Sequence, residues 1–193
     1  MSRAILTIAK NLANLVYPLH CASCGKALDP LDEFGVCGFC KTKVRPNPKP
    51  YIASSGFDRA YSACLYDETL KELIHTFKYK RKISLSKLFA HLLTEFININ
   101  PEITESADLI TFIPLHNSRL RVREFNQSKL LASKISDSFK IPLVDTLDKI
   151  RTTRNQNELS RNERLVNLKR AFRIRRDANL TGKSVLLVDD VMT

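Results

Sequence analysis

The chain of 193 residues has no tryptophan, 5 glycines, and no apolar run approaching the ~20 residues that a membrane-spanning helix needs. A secretory signal peptide requires a continuous apolar core, and none stands near the N-terminus, so no such leader is expected. Residues Ile5, Ile8, Ala9, Leu12, Leu15 and Val16 instead recur at helical spacing, with Lys10, Asn11 and Asn14 on the opposite face. This predicts a short helix that packs on the protein or a partner. Internal repeats and low-complexity tracts are also missing, which argues against solenoids and extended disordered arrays. An acidic excess is missing too: 31 Lys+Arg face 20 Asp+Glu, a formal charge of +11. The surplus lies at the two ends of the chain, and it suits an anionic partner, either nucleic acid or a phosphorylated small molecule. With 44% apolar residues the chain can still bury a core. A cytoplasmic location is expected, with no membrane insertion and with thiols kept reduced.

Four of the 5 cysteines form a pattern. Cys21-x-x-Cys24 is followed after a gap of 12 residues by Cys37-x-x-Cys40. Each pair makes a tight knuckle whose thiolates point at one centre, and two knuckles complete a tetrahedron around Zn²⁺. Gly25 and Gly38 are read as permitting the turns that free backbone N–H groups toward sulfur. The competing readings are two disulfides, which a reducing compartment disfavours, and an iron–sulfur cluster, whose ligand spacing usually differs. Structural zinc is the expectation, with four sulfur ligands and no open position. Cys64, in an apolar surrounding, is read as a small buried hydrophobe.

The prolines Pro46, Pro48 and Pro50 predict an extended linker. The expected organisation is a helix and zinc module over residues 1–45, a linker over 46–56 and an α/β domain over 57–193. Strands are predicted over Ala60 to Tyr66, Leu109 to Ile113, Ala171 to Arg175 and Val185 to Val188, with a short one at Leu143 and Val144. Helices are predicted over Glu68 to Tyr79, Ser84 to Phe96 and Asn126 to Phe139. Another opens at Ser160 with the capping box Ser160-x-x-Glu163. Alternating helices and strands indicate an α/β fold with a mainly parallel sheet.

The final predicted strand, Val185 to Val188, reads as buried on both faces and runs into Asp189 and Asp190. Ligands of open α/β sheets sit beyond the carboxyl ends of such strands, and two acids there can accept hydrogen bonds from a vicinal diol such as that of a ribose. The segment Pro114 to Gln127 links a strand to a helix, and Arg119, Arg121 and Arg123 in it suit a pyrophosphate. A solvated basic loop is the plainer alternative. Arg151, Arg154, Arg161 and Arg164 form a second basic segment, either a closing loop or an exposed helix. His116 is the histidine nearest this region. His20 precedes the first cysteine knuckle, His75 and His91 fall on helices, and none is assigned as a catalytic base.

The ordered set of motifs resembles the ComF family, the competence-protein group related to amidophosphoribosyltransferases. The residues that carry the resemblance are Tyr17-Pro18-Leu19-His20-Cys21, Phe77-Lys78-Tyr79-Lys80 and Pro114…Arg119…Arg123-Glu124-Phe125-Asn126-Gln127. The block from Arg151 to Phe172 and the terminal Asp189-Asp190 strand complete it. The resemblance implies a double zinc ribbon joined to a type I phosphoribosyltransferase-like domain. It also implies binding of phosphoribosyl pyrophosphate with Mg²⁺ and a role in DNA uptake during natural competence. On this reading Asp189 and Asp190 hold the ribose, and Pro114, Leu115, His116, Arg119 and Arg123 hold the pyrophosphate. Thr193 begins a 5′-phosphate loop.

Two departures stand out. Glu124 occupies a usual glycine position, adding a Cβ and a negative charge. The sequence also ends at Thr193, so the domain is read as incomplete at its C-terminus and as a poor or inactive phosphoribosyltransferase. The alternative is a non-catalytic protein that handles single-stranded DNA or a competence helicase through its basic surface and zinc module, with Tyr79 and Phe125 as candidate stacking residues.

Overall fold

The computed structural model describes residues 18–29, 32–48, 51–52, 57–154 and 160–191. The helix predicted over Ile5 to Val16 and the position Thr193 lie outside them. The chain divides into two compact units, Met1–Phe96 and Ile97–Thr193.

In the first unit an antiparallel bridge between His20 and Ala27 closes the first cysteine knuckle. Gly25, at φ +73, donates its N–H to the carbonyl of Cys21. The second knuckle differs from the sequence reading. Cys37 caps a short helix α1 (Gly38–Thr42), so Gly38 is an ordinary helical residue, absent from the positive-φ positions. The glycine that the geometry demands is Gly35. Its φ is +73, and a Cβ there would lie 2.5 Å from Ser84 Oγ.

The segment after α1 is tied down by backbone bonds: Asn47 N–H donates to Ala63 and Leu65 N–H to Arg45. Strands β1 (Tyr51–Ile52) and β2 (Ala60–Tyr61) pair antiparallel. Helix α2 (Glu68–Tyr79) starts where Asp67 accepts from the Leu70 N–H at 3.0 Å, and Arg45 donates to the same carboxylate at 2.9 Å. It buries Leu70, Leu73, Ile74 and Phe77, the stripe expected from 3.6-residue periodicity. Helix α3 (Leu85–Ile99) supplies Leu85, Leu88 and Phe89, and the rings of Phe77 and Phe89 lie 5.3 Å apart.

The second unit contains the short helix α4 (Glu102–Glu105) and is organised on strand β3 (Leu109–Phe112), buried along its whole length. Next come helices α5 (Asn117–Arg123) and α6 (Gln127–Phe139), strand β4 (Leu147–Lys149), helix α7 (Arg161–Leu168), and strands β5 (Phe172–Ile174) and β6 (Val185–Val188). Strand β6 pairs parallel with β3, Leu109 opposite Val185 and Phe112 opposite Val188. A parallel bridge from Ile110 to Leu143 continues the pairing on the other side of β3. Helix α6 covers β3 with Leu131, Ala132 and Ile135. Strands β4 and β5 form a separate antiparallel pair. The buried hydroxyls of Thr111 and Thr146 meet at 2.8 Å, which joins β3 to the residue before β4.

The result is a mixed helix–strand protein with a small parallel sheet. Burial of β6 is graded rather than two-sided, from Val185 at 38% exposed to Val188 at 7%. The reason is that β3 is its one strand neighbour among the described residues.

Helix α5 lies within the segment that the sequence presents only as a connection from strand to helix. None of its residues is buried, so it lacks the apolar stripe that periodicity detects. Its start is fixed by His116, whose Nδ1 accepts from the Ser118 N–H. Its end is fixed by Glu124, at φ 68 and ψ −16, whose N–H donates to the Leu120 carbonyl at 2.7 Å. A left-handed residue at a helix end is a position that glycine fills without strain. Glu124→Gly should therefore be more stable than Glu124→Ala by about 1 kcal/mol, because both lose the side chain and only one keeps the strain. Thermal denaturation of the two variants side by side checks this; equal midpoints would remove the backbone explanation.

Candidate functional site

The sulfurs of Cys21, Cys24, Cys37 and Cys40 all lie within 4.8 Å of one another. Cys24 and Cys37 stand 3.8 Å apart, which matches the edge of about 3.8 Å for a tetrahedron of sulfurs at ~2.3 Å from zinc. The Cys37 N–H points at Cys21 Sγ at 3.4 Å. Burial would raise the Cys21 thiol, but the N–H groups of Cys24, Cys37 and Ser23 outweigh it and bring the thiol down to about 6. Cys40 is pushed up to about 12, first by burial and further by the neighbouring sulfurs. A central cation would let all four thiols carry charge together. The donor set fits structural zinc, which would contribute fold stability and no reactive position. Cys64, the remaining thiol, is pushed up to about 11 by burial and by Asp67, so it is a poor nucleophile.

A second cluster lies at the carboxyl ends of β3 and β6. Ile113 N–H donates to the Val188 carbonyl at 3.2 Å, so the basic segment after β3 and the acids after β6 leave the sheet side by side. Three consecutive residues at the start of α6 then tie the parts together. Asn126 caps α6 by accepting from the Lys129 N–H, and its Nδ2 donates to the Ile113 carbonyl at 3.0 Å. Gln127 accepts from Arg123 through Oε1 at 3.3 Å. Ser128 donates to Asp189 Oδ1 at 2.9 Å, and the Asp190 N–H reaches the same oxygen.

Of the residues singled out from sequence, Pro114 and Leu115 are half-buried in the connection, and His116 is committed to capping α5. Arg119 and Arg123, four apart on α5, are half-buried, whereas Arg121 is exposed. Arg119 also donates to the Thr153 carbonyl at 2.6 Å, which links α5 to the second basic segment. In that segment Arg151 donates to the carbonyls of Asn167 and Lys169 at the end of α7. Asn167 exchanges two hydrogen bonds with the backbone of Arg154. Residues 151–154 thus run as a non-helical strap against α7.

Sequence reasoning missed Lys149, the last residue of β4. It lies within electrostatic reach of Arg119, Arg123, Arg151 and Asp189, with its ammonium 5.1 Å from the centre of the Phe172 ring. Burial and then Arg119 push it down to about 8, against the pull of Asp189, with Arg123 and Arg151 adding to the depression. Its only signal in the sequence is proximity to Arg151, because a lysine in a three-residue strand has no periodicity to betray it.

The chain is 30% identical to the DNA utilization protein YhgH of Salmonella typhimurium, over 93% of this chain and 87% of that one. It is 30% identical to YhgH of Escherichia coli K12, over 90% and 71%. Against competence protein F of Haemophilus influenzae it is 29% identical, over 82% and 79%. No family model and no solved structure matches the chain.

The thiol cluster sets up a metal test. Purified protein should carry one zinc per chain, and a strong chelator should unfold the knuckle region, since coordination in such modules contributes about 10–16 kcal/mol of coupled folding energy. Elemental analysis with hydrogen exchange decides it. Metal-free protein whose residues 18–48 stay protected would show that the sulfurs hold no structural metal.

Proposed function

The chain belongs to the ComF family, that of YhgH and competence protein F, and on that premise we propose that it is a phosphoribosyltransferase-fold protein that binds phosphoribosyl pyrophosphate in the service of DNA utilization or uptake. The observation that carries the reading is the parallel pairing of β3 and β6, which sets the segment 114–123 beside Asp189 and Asp190. Asp189 is oriented by Ser128 and by the Asp190 N–H, both on Oδ1. The acids accept from the ribose hydroxyls, and Arg119 and Arg123 receive the pyrophosphate together with its Mg²⁺. Were the C1–O bond of such a ligand to break, with pyrophosphate leaving and an acceptor nucleophile taking its place at C1, acids beside the ribose would stabilise the positive charge that develops on the sugar. Thiols held for zinc fit a reducing, cytoplasmic setting, and no described helix is long and apolar enough to cross a membrane.

A second reading rests on a different surface. Between α2 and α3, Lys80, Arg81 and Lys82 are exposed and Tyr79 is 43% exposed. A charged stretch with an accessible ring is what single-stranded nucleic acid contacts, the backbone meeting the cations and a base stacking on the ring. In this reading the protein holds single-stranded DNA, or a helicase engaged on it, without catalysis.

The two readings are separated by two measurements. Calorimetry should show phosphoribosyl pyrophosphate with Mg²⁺ binding more tightly than ribose 5-phosphate, and Asp189→Asn or Asp190→Asn should weaken it about tenfold or more, the value of a charged hydrogen bond. Unchanged affinity in both variants overturns the site. For DNA, anisotropy titrations of an oligonucleotide should give a log–log salt slope near −0.7 per phosphate neutralised. Lys80→Ala with Lys82→Ala should flatten it by roughly one unit or more. No binding at low salt eliminates the second reading.

A further inference from the structure

We propose that the four-cysteine module is a metal-dependent clamp on the turn between α2 and α3, so that occupancy of its sulfurs controls how well the basic residues of that turn hold single-stranded nucleic acid. The inference deepens the second reading above and rests on it. It adds a regulator to the surface of Tyr79, Lys80, Arg81 and Lys82, within the same compact unit.

The module grips the helices at the turn, along α3 and at the start of α2. At the turn, Gly35 packs so closely against Ser84, the residue before α3, that a Cβ would lie 2.5 Å from its Oγ. Midway along α3, the His91 ring stacks on Phe34 with centroids 4.9 Å apart. Lys41 donates to His91 Nε2 at 3.3 Å, and its ammonium lies 4.2 Å from the centre of the Phe34 ring. At the start of α2, Arg45 donates to Asp67, the residue that caps the helix.

These grips lead directly back to the sulfurs. The Gly35 carbonyl accepts from the Ala22 N–H at 3.0 Å, inside the first knuckle, and the Cys37 N–H points at Cys21 Sγ. Lys41 adjoins Cys40 in sequence. Apart from Cys21 and Cys40, the buried apolar side chains of the module are the small set Leu28, Val36 and Val44. Coordination is what closes a module of this kind, so loss of the metal frees the Gly35 loop at both ends and releases α3.

The turn has a physical reason to respond. Arg81 sits at φ 54, a left-handed conformation that persists in a side-chain-bearing residue only where the surroundings hold it. Lys80 ends α2, and the Ile83 N–H donates to the Arg81 carbonyl at 2.8 Å. The strained residue is therefore fixed between a helix end on one side and Ser84, seated against Gly35, on the other. Lys80, Arg81 and Lys82 are exposed there. With the clamp closed, the cations are presented in one arrangement. With it open, the turn relaxes, and binding a polyanion must then order the turn as well. Linkage makes the effect reciprocal: bound nucleic acid tightens the hold on the metal by the same factor.

The test uses the full chain, zinc-loaded or stripped with a chelator, and an oligothymidylate as the probe. On stripping, hydrogen exchange should quicken in residues 18–48 and also around Asp67 and over 80–91, with α6 unchanged. Anisotropy at low salt should show the stripped chain binding the oligonucleotide about fivefold or more weakly than the loaded chain. Saturating oligonucleotide should raise zinc affinity, read by competition with the chelator, by the same factor. Lys80→Ala with Lys82→Ala should erase the difference between loaded and stripped chains at unchanged zinc content. A difference that persists in that variant would mean that the module touches the DNA itself, and overturns the clamp. His91→Ala keeps all four sulfurs and should weaken oligonucleotide binding at full zinc content, with circular dichroism confirming that it is folded. If exchange quickens in residues 18–48 alone, or loaded and stripped chains bind alike, the clamp falls and the nucleic-acid reading survives. If the loaded chain does not bind at low salt, both fall together.

Discussion

The second unit depends on the parallel pairing of β3 with β6. Five backbone positions, from Leu109 opposite Val185 to Ile113 bonding Val188, fix two segments that are more than seventy residues apart in sequence. Parallel neighbours end at the same edge, so whatever follows the two strands must share a site. Slipping the register by one residue would turn Val188 outward and move Asp189 away from Ser128. The hydrogen bond from Ser128 and the Asn126 bond to Ile113 therefore act as locks on a geometry that the sheet has already set. They also give a physical account of the run Asn126-Gln127-Ser128: one residue caps a helix, one holds an arginine and one orients a carboxylate.

The first unit rests on a different constraint. Its cysteine module is too small to bury a large apolar core of its own, and sulfur sits at its centre: Cys21 and Cys40 are the buried cysteines, supported by Leu28, Val36 and Val44. The close approach of Gly35 to Ser84 leaves no room for a side chain, so packing as well as the four sulfurs shapes the loop between the knuckles. Structure of this sort tolerates variation at exposed positions such as Leu19 and Phe39 far better than at the sulfurs or Gly35.

Scarcity of glycine leaves its mark on both units. Arg81, Glu124, Lys140 and Arg170 all adopt φ between 54 and 68, where side-chain-bearing residues are disfavoured. Three of them are basic, and Glu124 and Lys140 end helices in the basic segment and on the β3 layer. The strain is a local expense that the surrounding hydrogen bonds impose, and in Glu124 it falls next to the cationic face of α5.

What the sequence determined by itself were the features whose signal is local. The spacing of Cys21, Cys24, Cys37 and Cys40 specified a four-sulfur cluster. The stripe Leu70, Leu73, Ile74 and Phe77 specified α2, and Ser160 with Glu163 specified the start of α7. Helix α5 was illegible because an exposed helix carries no stripe, and β4 because three residues are too few to show alternation. Only the tertiary structure decided that Asp189 stands beside the basic segment, that Gly35 rather than Gly38 needs to be glycine, and that Lys149 lies among arginines. Each of these is a relation between residues distant in the chain, set by strand pairing and packing, and no local pattern encodes such a distance.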